Sequence, residues 1–265
     1  MKYALVTGGA SGMGRATAIE LANNGFIVFS CDITTSPEEK ENIIQIKTDV
    51  TSTKSITQAY TQILQHTNKL DAVINFAGII LMDSLIEISE EEFTNIFNVN
   101  LFGVYRINKV FFPLVKNAKG KIIITTSELV ENKVLPFNAI YAISKKALDA
   151  YAQGLTAELG LLNIPVITLR PGAVDTPIIT SSNEQMNKLN DNTLFYKDTI
   201  PKFRHIVDKE HNKGIPPEKI AKMVLKILNK KNPKLIYKKN ISTKLKLLNI
   251  LPTKTQIKLL KLILK

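Results

Sequence analysis

Seven short runs rich in β-formers, at residues 4–7, 27–31, 43–47, 72–76, 121–126, 166–169 and 235–237, alternate along the chain with longer stretches of helical spacing. That alternation predicts a parallel sheet covered by helices on both faces. Ser89 with Glu92 three positions later is a capping-box signal for a long helix through Phe93, Phe97, Leu101 and Val104. Pro216-Pro217-Glu218 opens another helix, with Ile220, Val224 and Ile227 on its inner face. Residues 172–214 are polar, weakly periodic and too long for an ordinary connection, so they are expected to form a flap over a site. No composition break or repeat divides the 265 residues, and one α/β domain spanning 1–265 is expected.

The first run ends in Thr7-Gly8-Gly9-Ala10-Ser11-Gly12-Met13-Gly14 and leads into a helix beginning near Arg15. Glycines permit a tight turn and close backbone approach, while a helix N-terminus offers free N–H groups and a favourable dipole to a pyrophosphate. The turn is therefore a candidate dinucleotide site. Asp32 closes the second run, eighteen residues after Gly14. A carboxylate there can accept from ribose hydroxyls and would repel a 2′-phosphate, which favours NAD over NADP.

Downstream lies Tyr141-x-x-x-Lys145, fourteen residues after Ser127. Residues four apart share a helix face, so a phenol and an ammonium can address one substrate atom, the charge favouring phenolate and lowering the tyrosine pKa. Spacing alone is weak evidence, because a chain with this many Tyr and Lys contains about one such match by chance. Tyr105 and Lys109 are a second match, with no glycine-rich or hydroxyl partner arranged around them, and are read as a decoy.

Charge is concentrated at one end. Residues 230–265 hold eleven Lys and no Asp or Glu, against a formal net charge of +12 for the chain. An anionic surface is the implied partner of this tail, but one aromatic and no recognisable motif argue against nucleic acid. At 100° per residue on a helix, Lys254, Lys258, Lys261 and Lys265 fall in one stripe, with Ile257, Leu259, Leu260, Leu262, Ile263 and Leu264 filling most of the rest. Such a tail, taken as residues 240–265, would either dock on protein or lie on an anionic membrane. Cys31 is the single cysteine and excludes an intrachain disulfide. The three His show no ligand spacing, and no metal is expected. No signal peptide or membrane span is evident, so a cytoplasmic protein is expected, at most peripheral to the inner face of a membrane.

Together these motifs resemble the short-chain dehydrogenase/reductase family, in order and over almost the whole chain. The resemblance implies a Rossmann-type, doubly wound, seven-stranded sheet of order 3-2-1-4-5-6-7. It also implies a phosphate-binding turn at Thr7, Gly8, Ser11, Gly12, Met13 and Gly14, and adenine contact at Asp49 and Val50. Asn75-Phe76-Ala77-Gly78 is similar to the family's Asn-Asn-Ala-Gly loop, with Phe76 the departure, so Asn75, Ala77 and Gly78 are expected beside the cofactor. Pro171, Gly172, Val174 and Thr176 match the segment that contacts the nicotinamide carboxamide. Asn100 matches the helix asparagine that holds a water in a proton relay to the lysine.

The serine is displaced. Most relatives carry it thirteen residues before the tyrosine, where this chain has Glu128, and an ionised carboxylate cannot donate to a carbonyl oxygen. One extra residue in the loop 129–135 would restore Ser127 to the role, with Thr126 as fallback. The resemblance thus implies hydride transfer between NAD(H) and a carbonyl or secondary alcohol, with Tyr141 as acid/base, Ser127 on the reacting oxygen, and Lys145 holding the nicotinamide ribose while lowering the tyrosine pKa. Leu135, Phe137, Ile178, Ile179 and Met186 are candidates for an apolar substrate pocket. A homodimer or homotetramer is implied as well. Two alternatives stay open: a non-catalytic NAD-binding regulatory or scaffold protein, and a sugar-nucleotide epimerase or dehydratase of related fold.

Overall fold

The computed structural model describes residues 1–36, 40–131 and 135–264. Its centre is a sheet of seven strands, β1 (Lys2–Thr7), β2 (Phe26–Asp32), β3 (Ile43–Lys47), β4 (Ala72–Asn75), β5 (Lys121–Thr125), β6 (Val166–Pro171) and β7 (Ile236–Lys239). All neighbours are parallel and the order is β3-β2-β1-β4-β5-β6-β7. Each of the seven apolar runs therefore became a strand of the expected sheet. The chain leaves β1 toward β2 on one side and later returns to β4 on the other, so the carboxyl ends of β1 and β4, where Thr7 pairs with Asn75, flank the crevice at which open α/β sheets bind ligands.

Strand period two decides the cores. Ala4, Val6, Val28, Ile74 and Ile123 face α1 (Gly12–Ala22) and α8 (Glu218–Leu228), meeting Leu21, Ile220 and Val224. Leu5, Phe29, Val73 and Ile122 face the other way, onto α2 (Thr53–Leu64), α4 (Val104–Ala118) and α5 (Ala139–Gly160), where Ile56, Phe111 and Leu148 are buried. The expected helix from Ser89 forms, its cap made by the Ser89 hydroxyl accepting from the Glu92 N–H at 3.2 Å. It is not uniform: α3 (Glu90–Phe97) passes into α4 through a π-helical turn, Asn98–Gly103, which carries Asn100. Such wide turns recur at functional sites because they re-aim a side chain.

The segment 172–214, expected as an irregular flap, contains two helices, α6 (Pro177–Asn192) and α7 (Ile200–His211). Their apolar stripe is sparse, Met186 and Leu189 on one and Ile200 and Phe203 on the other, yet enough to make a satellite core with Met82 and Phe137. Glu87 secures the link between them, accepting from the Thr193 hydroxyl at 3.0 Å and the Leu194 N–H at 2.6 Å. The tail forms α9 (Thr243–Ile250) and α10 (Thr253–Leu264), and α10 adds Leu260 and Leu264 to the same satellite core against α7. Lys265, the last residue of the expected lysine stripe, lies outside the described residues.

Candidate active site

A cleft of about 880 Å³ opens along the carboxyl ends of the strands, within the range of small-molecule sites. Gly8, Ser11, Gly12, Met13 and Gly14 form its floor. Gly8 and Gly12 have φ of +67° and +51°, a left-handed backbone that side chains resist, and a Cβ on Gly14 would lie 2.0 Å from the Gly8 carbonyl oxygen. Ser11 caps α1 without a side-chain hydrogen bond, so the first turn keeps N–H groups for an anion. Asp32, Asp49, Val50, Ala77, Gly78 and Thr176 line the same space. Asp32 accepts from the Ala10 N–H at 3.0 Å and the Thr34 N–H at 3.1 Å, which leaves acceptor capacity on both carboxylate oxygens. This donor set and shape fit a dinucleotide.

Seven expected cofactor residues fall outside the lining: Tyr141 and Lys145 gather beyond Gly78, and five others stand behind the lining. Thr7, 1 % exposed, accepts from the Phe76 and Ala77 N–H groups and so fixes the loop above β4. Asn75 donates to the Asn108 side chain at 3.0 Å and the Ile123 carbonyl at 3.2 Å, tying β4 to its neighbours. Val174 is buried in the core under α8, and Pro171 is buried at the end of β6. Gly172 continues from there, its N–H donating to the Lys239 carbonyl at 2.8 Å. In the other direction, α6 supplies Ser181, Glu184 and Gln185 to the cleft and α3 supplies Glu92 and Asn95, with a Lys188–Glu92 ion pair joining the two helices. Sequence reasoning missed these. Ser181, Glu184, Gln185 and Lys188 share one face of α6, but all four are polar and leave no apolar period to read.

Beyond Gly78 the second group of side chains gathers. A Cβ at Gly78 would meet Asn100 Oδ1 at 3.1 Å and Lys145 Nζ at 3.4 Å, so these two face each other across the glycine. Lys145 is 6 % exposed and donates to the Thr125 carbonyl at 3.2 Å, while its ammonium sits 5.8 Å from the Tyr141 ring centre. Asn100 is fully buried, bonded in both directions to the Ile79 backbone, and donates to the Ser144 hydroxyl at 3.0 Å. Ser144 in turn donates to the Tyr141 carbonyl at 2.8 Å, a positioning contact that sequence reasoning did not single out.

Ser127, Glu128 and Thr126, the residues at issue in the spacing, take different partners. Ser127 follows β5, accepts from the Leu129 N–H at 3.2 Å, and lies near enough to the Tyr141 phenol to oppose the rise in its pKa. Glu128 turns away, accepting from the Ser242 N–H at 2.6 Å, and burial pushes its carboxyl above the usual range. Thr126 is committed to the Leu169 carbonyl and Asp149. Of the loop 129–135, residues 132–134 lie outside the described residues.

The electrostatics differ from the expectation that Lys145 lowers the tyrosine pKa. Part of Tyr141 reaches solvent, but the surrounding protein desolvates the phenol and pushes it up to about 12, more than the neighbouring Ser127 hydroxyl offsets. Desolvation likewise brings Lys145 down to about 8. Burial outweighs the attraction between the pair, because a charge on either group must be held away from water. Of the pocket candidates, Ile178 lines the cleft, whereas Phe137 and Met186 pack in the satellite core. Phe137 meets Tyr196 and Phe203 edge-on, with ring centres 5.0 and 5.2 Å apart.

Comparison with known proteins agrees with this architecture. The profile of the short chain dehydrogenases matches residues 2–187. A 3-ketodihydrosphingosine reductase of Bacteroides thetaiotaomicron is 32 % identical over 232 residues, 86 % of this chain and 84 % of that one. Among solved structures, an alcohol dehydrogenase of Thermococcus sibiricus complexed with 5-hydroxy-NADP superposes with a TM-score of 0.70 at 24 % identity, covering 90 % of this chain and 96 % of that one. A 3-ketoacyl-(acyl-carrier-protein) reductase of Brucella melitensis complexed with NADH gives 0.72 at 21 % identity, covering 89 % and 96 %. At these identities the structural likeness concerns the fold.

Proposed function

The chain belongs to the short chain dehydrogenase family of oxidoreductases, and from that premise we propose that it reduces a ketone carried on an apolar chain, and reverses that reaction, with NAD(H) as cofactor and Tyr141 as acid/base. The observation that carries this reading is the convergence of Ser127, Tyr141, Lys145 and Asn100 at the Gly78 end of a dinucleotide-shaped cleft. NAD(H) supplies or receives the hydride when bound. The N–H groups of the Gly8–Gly14 turn would hold its pyrophosphate, Asp32 its adenosine ribose, and Asp49 and Val50 its adenine side.

The remaining chemistry belongs to the side chains. With its pKa near 12, the Tyr141 phenol keeps its proton at neutral pH and is set to give it to a carbonyl oxygen that gains negative charge. Ser127 Oγ accepts from Leu129, which leaves its own O–H to donate to that same oxygen. Lys145 stands between the phenol and Asn100 and, depressed toward neutrality, can exchange a proton without a large barrier. Ile79, Ile80 and Leu81 give the neighbouring wall an apolar character. The name of the Bacteroides relative, a reductase of a long-chain ketone, supports the substrate class.

The test follows oxidation of NADH and of NADPH by absorbance with a panel of ketones that includes long-chain 3-keto amphiphiles. Turnover is expected with NADH preferred, and Asp32→Ala should narrow that preference by roughly 1–3 kcal/mol, through lost hydrogen bonds and relieved repulsion of a 2′-phosphate. Cofactor binding without turnover of any ketone or alcohol would instead favour the non-catalytic reading.

A further inference from the structure

We infer that α9 and α10 form a docking surface for an anionic lipid bilayer. α10 is pinned to the body along one edge only: Gln256, Leu260 and Leu264 are buried or part-buried against the satellite core, and at about 100° per residue they occupy a single narrow arc. The rest of the helix faces solvent, and it is not polar. Leu262 is 83 % exposed on the face turned from the body, and Leu259, 37 % exposed, lies on the flank between it and the buried arc. Lys254, Lys258 and Lys261 form an exposed stripe next to Leu262 on that outward side of the helix. On α9, Leu247 and Ile250, three apart on one face, are 66 % and 78 % exposed.

Two features choose the occupant. Residues 230–265 carry eleven Lys and no carboxylate side chain, and Lys254, Lys258 and Lys261 make no ion pair among the described residues. A second copy docking through this face would therefore set lysines against lysines, which like-charge repulsion opposes. An anionic bilayer meets both demands at once, headgroups for the ammonium groups and an interfacial hydrocarbon layer for the leucines. No described helix is long and apolar enough to cross a membrane, so the contact is interfacial. The platform is also fixed in place: Glu128 accepts from the Ser242 N–H at the start of α9, and Lys244 pairs with Glu210 at 3.3 Å.

Full-length protein is sedimented with vesicles of phosphatidylglycerol and phosphatidylcholine, and with phosphatidylcholine alone, at low and high salt. Binding is expected to the anionic vesicles only and to weaken with salt. The triple variant Lys254→Ala, Lys258→Ala, Lys261→Ala should bind on the order of 100-fold more weakly. Leu259→Ser with Leu262→Ser should also lose most binding. All five positions are exposed, so melting temperature and NADH affinity are expected to stay at wild-type values and report intact folding. Failure of the full-length protein to bind anionic vesicles at low salt overturns the inference. So does equal binding to neutral vesicles, or full binding by the double leucine variant. Self-association abolished by the leucine changes, with no vesicle binding, would assign the face to a second copy instead.

Discussion

Tyr105–Lys109 and Tyr141–Lys145 repeat the same spacing on two helices of one molecule, and the helix delivers nearly the same geometry each time. The lysine nitrogen lies 5.5 Å from the first ring centre and 5.8 Å from the second. Their surroundings separate them. Tyr105 is 43 % exposed and Lys109 donates to its phenol at 3.1 Å, a contact closed upon itself and open to water. Lys145 is buried and donates a hydrogen bond to the Thr125 carbonyl, and Ser127 stands by the Tyr141 phenol. Periodicity makes a pair, but burial beside a serine and a cofactor-shaped cleft is what marks the second as the candidate for chemistry.

The hardest test of this contrast removes one oxygen from each tyrosine. Tyr141→Phe should lower kcat by ~10²–10⁴-fold, the usual share of general acid–base catalysis, with NAD affinity nearly kept. Tyr105→Phe should leave both unchanged. Wild-type kcat in the Tyr141 variant would refute the acid/base assignment. Next in size, Ser127→Ala should cost ~10²–10³-fold in kcat through loss of a donor to the reacting oxygen. Glu128→Gln keeps an acceptor for the Ser242 N–H and should retain kcat within about twofold, far below the effect of losing such a donor. If the glutamine variant were the impaired one, the serine assignment would be misplaced by a residue.

Those serine and glutamate roles mark the boundary of what the sequence discloses. The sheet was legible because buried parallel strands are continuous apolar runs, and the glycine turn because left-handed φ values and a 2.0 Å approach leave no other residue. Ser127 was legible as the one hydroxyl-bearing residue beside an unsuitable carboxylate, although which way Glu128 pointed depended on Ser242, more than a hundred residues later. The two helices of 172–214 were not legible. Their few apolar positions gain a partner only when Phe137, Met82 and Leu264 arrive from distant segments. Nor could spacing tell that Thr7 and Asn75 would spend their hydrogen bonds on the scaffold, or that desolvation would outweigh the Lys145 charge at Tyr141.

Burial also leaves a signature in stability. Lys145 titrates near 8 in the folded protein and near 10.5 when unfolded, so between those values the unfolded chain binds more protons and the fold gains stability as pH rises. Below about 8 both states are protonated and the full cost of the buried ammonium, on the order of a few kcal/mol, is present. Lys145→Met removes that cost. Its melting temperature relative to wild type should be highest at pH 6–7 and fall as pH climbs through 8 toward 10. Parallel pH profiles for wild type and the Lys145 variant would mean that the ammonium is not desolvated.

The smallest effect expected comes from adding one methyl group between the buried partners. At Gly78 a Cβ would stand 3.1 Å from Asn100 Oδ1, which must yield by a few tenths of an ångström, and in van der Waals contact with Lys145 Nζ at 3.4 Å. The backbone there is not left-handed, so Gly78→Ala acts on the side chains and not through φ. Displacing the Asn100 amide against the ammonium without removing either should reduce kcat by less than about tenfold, below the cost of losing a catalytic group outright. Gly154→Ala, on the same helix as Tyr141 and with nothing within 4 Å of the new Cβ, is the control. It should leave kcat alone and stabilise the helix by about 0.5–1 kcal/mol through reduced backbone entropy. Equal kcat in both glycine variants would show that the space between Asn100 and Lys145 is slack, and that the reactive pair depends on its partners' identities more than on their fit.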